Sequence, residues 1–205
     1  MLKIYLARHG QDEDNAKGLL NGRRDKSLTE LGMAQAKELA EKIKSKDIHF
    51  DIIYTSPLKR TKQTAKIIAE VLNSERPITL KELLERDFGI MAGEPHTKII
   101  EMCSPNILET EKITYFLSPK GAETFPQLIK RAEKMLNKLE RLHKDGNVLL
   151  VTHGDFGKMI YATYYKLSWK DVLKQFHFGN SDLLLLSKNS LASRSHIFKI
   201  KQHNL

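Results

Sequence analysis

The chain has a single cysteine, Cys103, so no internal disulfide can form, and a reducing cytoplasm is the expected setting. Long hydrophobic runs are missing too. Leu183–Leu186 is typical of the longest, far short of the roughly 18 apolar residues of a spanning helix. At the N-terminus the run Ile4–Ala7 is cut off by Arg8, too short for the core of a signal peptide, so neither secretion nor a membrane partner is expected. No low-complexity tract, linker or internal repeat breaks the 205 residues, which predicts one domain, 1–205, with a lid or insertion at 95–121. Aromatics are only 7% of the chain and do not interleave with basic residues, and no basic tail is present. The net charge of +9 (pI ≈ 9.5) would attract any anion, nucleic acid or phosphorylated metabolite alike. The scattered lysines nevertheless read as solvated helix faces, and no nucleic-acid partner is expected.

What is present is a strand–helix alternation. Leu2–Ala7 and Asn147–Val151 read as buried strands that end in Arg8-His9-Gly10 and Thr152-His153-Gly154. Asp51–Tyr54 and Ile78–Leu80 read as strands, and Asp182–Ser187 and His196–Ile200 as two closing strands. Gln11–Gly18 lacks periodicity and reads as a loop. Helices are predicted after Thr29 (apolar positions Leu31, Ala34, Leu39, Ile43), after Ser56 as N-cap with Pro57 at the first position, and after Gly154 and Ser168. A long one should follow Thr124, with Gln127 closing a capping box and an apolar face of Leu128, Ala132, Met135, Leu139 and Leu142. Gly32 in a first helical turn suggests close backbone packing. Residues 95–121 are the least legible and suggest one or two short helices. The fold expected is α/β, a three-layer α/β/α sandwich on a mostly parallel six-stranded sheet.

Ligands of such sheets bind at the carboxyl edge of the strands. Arg8, His9, Arg60, Glu85 and His153 all follow strands and could meet there, offering cations, a nucleophile and an acid to a phosphoryl group. Asp12-Glu13-Asp14 has neither metal-ligand spacing nor a histidine in register, so no metal site is expected. His49, His143, His196 and His203 read as surface residues, His177 as intermediate, and Cys103 as buried and inert. Tyr115 and Phe116 read as core.

Six stretches resemble, in order, those of the histidine phosphatase superfamily, the phosphoglycerate mutase-like proteins. They are Arg8-His9-Gly10-Gln11 with Asn15; Gly22 to Gly32 with Gln35-Ala36; Ser56-Pro57-Leu58-Lys59-Arg60 with Gln63-Thr64-Ala65; Glu85 to Gly89 with Gly93; Gly121-Ala122-Glu123; and Val151-Thr152-His153-Gly154. The resemblance implies that His9 is a nucleophile forming a phosphohistidine, with Glu85 as proton donor. Arg8, Asn15, Arg60, His153 and Gly154 would hold the phosphoryl group, with Gln11, Arg23 and His96 as further candidates. It implies no metal or other cofactor and a small phosphorylated substrate as partner, and the one assembly in view is a homodimer. A mutase of the family would add 2,3-bisphosphoglycerate as cofactor. The short 95–121 segment and the short stretch after Ile200 suggest an open site, and so a phosphatase rather than a mutase. A non-catalytic phospholigand binder is the remaining alternative. Asp12 departs from the family's Thr or Ser, and would repel a phosphate unless it points outward or pairs with Arg23 or Arg24.

Overall fold

The run Ile4, Tyr5, Leu6, Ala7 is buried throughout and forms the middle of β1 (Lys3–Arg8). A computed structural model describes residues 1–198. After β1 come a short α1 (Glu13–Ala16), then α2 (Glu30–Ser45), β2 (Ile52–Thr55), α3 (Lys59–Leu72) and β3 (Ile78–Thr79). One-turn 3-10 helices at Lys81–Leu83, Gly89–Met91 and His96–Lys98 lead to α4 (Ile99–Cys103) and a hairpin, β4 (Ile107–Glu109) and β5 (Thr114–Phe116). Then follow α5 (Phe125–Leu142), β6 (Asn147–Thr152), α6 (Gly154–Tyr164), α7 (Trp169–Gln175), β7 (Leu183–Leu186) and β8 (His196–Phe198).

The main sheet has the order β3-β2-β6-β1-β7-β8, parallel from β3 to β1 and antiparallel at β7 and β8. Side chains alternate across it. Ile4, Leu6, Val148 and Leu150 pack with α5, α6 and α7, whereas Tyr5, Ala7, Leu149 and Val151 pack with α2 and α3. This is the predicted three-layer sandwich on a mostly parallel six-stranded sheet. No helix among the described residues is long and apolar enough to cross a membrane.

The caps explain where the helices start. Thr29 accepts from the Gly32 N–H to open α2, and Thr124 with Gln127 forms the capping box of α5. Gly32 does sit in close contact: a Cβ there would lie 2.0 Å from the Gln11 carbonyl oxygen, and one on Gly10 would lie 2.2 Å from that of Gly32. The loop that carries His9 is therefore pressed directly on the first turn of α2.

Several expectations need correction. The Gln11–Gly18 segment is not all loop, because Asp12 caps α1. The third helix starts at Lys59 with Leu58 as its cap residue; the Ser56 hydroxyl lies 2.8 Å from His153 Nε2 but 3.5 Å from the Leu58 nitrogen. Ala34 is exposed, and the buried face of α2 runs through Gln35, Ala36 and Ala40 instead. Leu142 lies outside the buried face of α5, at 57% exposure. The segment 95–121 holds short helices but also the β4–β5 hairpin. Its Ile107, Ile113 and Tyr115 are β-formers on either side of the Glu111-Lys112 turn. Phe116 and Ile99 bury there with Leu20, Phe88, Met91 and Cys103 as a satellite core. His143 and His196 are half-buried rather than surface residues: His143 Nε2 lies 3.0 Å from the Tyr54 hydroxyl, and His196 packs against Phe176. The end of the last predicted strand, Lys199–Ile200, and His203 lie outside the described residues.

Alanine at an ordinary helical glycine stabilises a protein. Gly32→Ala should do the reverse and cost about 1–3 kcal/mol, because its methyl group meets backbone that cannot yield. A thermal melt should show the midpoint falling by several degrees; an unchanged or raised midpoint would contradict the packing.

Candidate active site

β1 and β6 are parallel neighbours with Arg8 opposite Thr152, so the next residue of each strand leaves the sheet at the same height. Those residues are His9 and His153. Both are buried, with ring centroids 5.2 Å apart and planes at 63°. The His9 Nδ1 lies 2.7 Å from the Gly10 carbonyl oxygen. A carbonyl only accepts, so the proton sits on Nδ1 and the Nε2 lone pair is left for chemistry. Arg60 Nε–H lies 3.2 Å from both His9 Nε2 and His153 Nδ1. His153 must therefore carry its own proton on Nε2 and donate it to Ser56 Oγ at 2.8 Å. Burial first, then the charges of Arg60 and Arg8, hold the His9 imidazole well below its usual range, against the Gly10 carbonyl. His153 is lowered for like reasons, by burial, Arg60, His9, Arg8 and Arg131. Both rings are thus neutral around pH 7.

Arg60 is wholly buried. Its Nη1 and Nη2 donate to the carbonyls of Arg24 and Gly22, each at 2.7 Å. Its counter-ion is Asp12, 3.4 Å from Nε. The open question about Asp12 is answered here: it points inward and pairs with neither Arg23 nor Arg24. Its other partners are the Asn15 N–H, at 2.9 Å, and the Asn21 carboxamide. Burial raises its carboxyl group, against the pull of Arg60. The adjoining carboxylates face other cations, Asp14 on Arg24 at 2.8 Å and Glu13 4.0 Å from Lys26.

Glu85 approaches from the loop beyond β3. Its carboxylate caps the start of α6, where helix N–H groups point outward. Oε1 accepts from Phe156 N and Arg86 N at 2.9 and 2.8 Å, and Oε2 from Asp155 N at 3.1 Å. Burial nevertheless wins and, with the Asp155 charge, raises the Glu85 carboxyl above its ordinary value. Arg131 fixes this loop. It donates to the carbonyls of Glu82, Leu84 and Glu85 while gripping both oxygens of Glu123 at 2.9 Å. Arg23 works alongside it, its nitrogens bonded to the Glu85 carbonyl, Asp87 and Glu123.

The remaining candidates fall into two groups. Arg8 and Gly154 border the imidazoles. Arg8 Nη1 donates to the Phe178 carbonyl at 2.8 Å, its buried Nε has no partner among the described residues, and a Cβ on Gly154 would lie 3.5 Å from its Cζ. His96 is exposed as a residue, but the part of its ring turned to the protein is desolvated, which lowers it, with Asp155 opposing and Arg8 adding to the effect. Asn15 Oδ1 lies 3.4 Å from Asn180 Nδ2, beside the pair. Gln11 and Arg23, in contrast, serve the frame: Gln11 Oε1 accepts from Thr29 Oγ1 at 2.8 Å, and Arg23 is bound to the Glu85 loop. Sequence reasoning missed Ser56, Asn180, Arg131 and Arg86. Asn180 Nδ2 donates to the His9 carbonyl at 3.0 Å. Buried Arg86 pairs with Asp155 at 2.8 Å. Ser56 and Arg86, each inside a recognised stretch, carried a signal that could have found them; Asn180 and Arg131 did not.

A neutral imidazole with a free lone pair, a ring of donors and a carboxyl group raised by burial can exchange a phosphoryl group and a proton. Comparison with known proteins agrees. A 2,3-bisphosphoglycerate-dependent phosphoglycerate mutase of Parvibaculum lavamentivorans is 34% identical over 174 residues, 83% of this chain and 83% of that one. A metal-independent phosphoserine phosphatase of Arabidopsis thaliana is 33% identical over 168 residues, 78% of this chain and 67% of that one. Among solved structures, a phosphoserine phosphatase of Entamoeba histolytica in complex with 3-phosphoglyceric acid superposes with a TM-score of 0.71 at 26% identity, covering 90% of each chain. The profile of the histidine phosphatase superfamily (branch 1) matches residues 4–190, and the chain belongs to that family.

Proposed function

We propose that this enzyme is a metal-independent phosphatase of a small phosphorylated metabolite, working through a phosphohistidine on His9. The observation that carries the reading is the tautomer of His9. The Gly10 carbonyl holds the proton on Nδ1, so Nε2 presents its lone pair toward the cleft without needing a general base. In the free site that lone pair accepts from Arg60 Nε–H. Substrate binding passes this N–H to a phosphoryl oxygen and frees the nitrogen. Arg8, with its unpaired Nε, Asn15, His153 and the N–H of Gly154 at the first position of α6 supply the other donors for the equatorial oxygens.

The steps balance as follows. His9 Nε2 attacks phosphorus in line, the P–N bond forms, and the P–O ester bond breaks. The leaving oxygen takes the proton of Glu85. Glu85 then accepts a proton from the water that attacks the phosphohistidine, and phosphate leaves. The arginines supply the positive charge that a metal supplies in other phosphoryl-transfer sites, so no metal is needed. A second reading is supported by the mutase relatives. The same donors would fit a phosphoryl group delivered by 2,3-bisphosphoglycerate, and the product would then be an isomer rather than inorganic phosphate.

Hydrolysis of p-nitrophenyl phosphate should persist in excess EDTA and fall at least about 10³-fold in His9→Ala. Loss with EDTA and survival in His9→Ala would rule out the phosphohistidine route. The two carboxyl and imidazole shifts set the pH profile. Neutral His9 is lost only as pH falls through its lowered pKa, and protonated Glu85 is lost as pH rises through its raised one. The active form therefore spans the interval between them, and the alkaline limb belongs to Glu85. Glu85→Gln should remove that limb and lower kcat about 10²–10⁴-fold on alkyl phosphates. It should cost much less on p-nitrophenyl phosphate, whose phenolate leaves without a proton; equal losses on both would argue against Glu85 as the acid. Incubation with 3-phosphoglycerate should release inorganic phosphate with or without 2,3-bisphosphoglycerate. Formation of 2-phosphoglycerate only when the bisphosphate is present would establish the mutase instead.

A further inference from the structure

Asp12 is wholly buried and is held from several sides. Oδ1 accepts from the Asn15 N–H at 2.9 Å in the cap of α1. Oδ2 accepts from the Asn21 carboxamide and lies 3.4 Å from Arg60 Nε. The same Oδ2 lies 3.9 Å from His9 Nδ1, the nitrogen that carries that ring's proton. Each of these neighbours is a donor, so neither oxygen has an acceptor to which a carboxyl proton could point. The group is therefore a carboxylate, although burial works against its charge. Pairing with Arg60 accounts for one ion contact of Oδ2. The other, with His9, answers no need of the resting structure, because a neutral imidazole requires no counter-charge.

A charge appears on that imidazole only during the reaction. When Nε2 attacks phosphorus, its lone pair becomes the P–N bond and the proton stays on Nδ1, so the ring becomes a phosphorylated imidazolium. When water attacks in the second step, the P–N electron pair returns to Nε2 and a neutral imidazole leaves. Loss of the Nδ1 proton in between would make the leaving group an imidazolate, a far stronger base that departs slowly. The surroundings of the ring decide whether that proton stays. Arg8 at the end of β1 and Arg60 on α3 oppose a positive ring, and with burial they keep it neutral in the free enzyme. His153, after β6, is itself neutral, and Glu85, from the loop beyond β3, acts on the charge of Arg60. In the phosphoenzyme the arginines face the phosphoryl oxygens, whose charge offsets theirs. The Gly10 carbonyl accepts the Nδ1 proton but carries no charge. Asp12 is the one carboxylate among the described residues within 4.0 Å of a His9 nitrogen.

We propose that Asp12 is a positioning residue that acts through His9: its carboxylate retains the Nδ1 proton while the ring carries the phosphoryl group, and so keeps the phosphohistidine ready to hydrolyse. The inference rests on the phosphohistidine reading of His9. An opposite charge at this range favours a charged group by roughly 10- to 1000-fold. A hydroxyl at position 12 could still cap α1, but it would bring no charge to the ring. The carboxylate thus serves two cations in turn, the permanent one on Arg60 and the transient one on His9.

The test follows the phosphoenzyme rather than overall turnover. Glu85→Gln is the background, because it takes the other titrating group out of the second step. The protein is mixed with radiolabelled p-nitrophenyl phosphate, chased with unlabelled ester and quenched in alkali, where phosphohistidine survives. With Asp12 present, the label should decay at one rate from about pH 6 to 9. With Asp12→Asn added, decay should slow about tenfold per pH unit toward alkali, ending roughly 10- to 1000-fold slower, so that label accumulates there. A role confined to holding Arg60 would instead slow decay by the same factor at every pH. Asp12→Thr, which also keeps the cap, takes the place of Asp12→Asn if circular dichroism shows that variant unfolded. A variant whose decay does not change with pH would overturn the proposal. So would a decay that already slows toward alkali with Asp12 in place, a result read without touching that residue. If p-nitrophenolate is released and label never appears on His9 in either protein, the phosphohistidine reading itself fails, and the proposal with it.

Discussion

One N–H governs this site. Arg60 Nε is equidistant from the two imidazoles, 3.2 Å from each, and the rest of its guanidinium is tied to the Gly22 and Arg24 carbonyls. A guanidinium cannot give up its proton, so each imidazole must turn a lone pair toward it. That demand sets both tautomers at once, directing the single N–H of one ring to the Gly10 carbonyl and that of the other to Ser56. Burial first, and then that same charge, keep both rings neutral. Asp12 makes the burial of Arg60 tolerable, and through its cap on α1 it joins the guanidinium to the loop that holds Asn15. The family's usual Thr or Ser at that position would leave Arg60 to find its counter-charge elsewhere. In this chain the carboxylate lies 3.9 Å from His9 Nδ1, the protonated nitrogen of that ring.

Glu85 shows the opposite balance. Three backbone N–H groups favour its charged form, yet burial and Asp155 outweigh them. The net effect favours the protonated form more than in an ordinary glutamate. Holding it there takes two arginines: Arg131 gathers the loop carbonyls of Glu82, Leu84 and Glu85, and Arg86 engages Asp155 and the Phe116 carbonyl of the hairpin. The hairpin, the Glu85 loop and the start of α6 are thus tied together through Arg86.

The sequence made some of this legible and hid the rest for identifiable reasons. Strands buried on both faces write themselves as unbroken apolar runs, so β1 and β6, and with them the His9–His153 pair, could be read directly. Capping chemistry is equally local, and Thr29 and Thr124 were read correctly. Ser56 was misread because a serine before proline carries the same letters whether its hydroxyl serves a helix or an imidazole far along the chain. The hairpin was missed because its strands are three residues each, too short for a period to show. Asn180 and Arg131 act through backbone carbonyls of distant segments, and nothing in local spacing marks such partners.

The pairing of β1 with β6 also orders events in time. The strand that leads to His9 is synthesised well before its partner strand, residues 147–152. Until that partner arrives, β1 lacks its parallel neighbour, and His9 has neither the second imidazole nor the helix start that Glu85 caps. Contacts of such long sequence separation form late and slowly. Nascent chains should therefore be chemically silent, and the capacity for phosphoryl transfer should come on in a single step, as a by-product of closing the sheet.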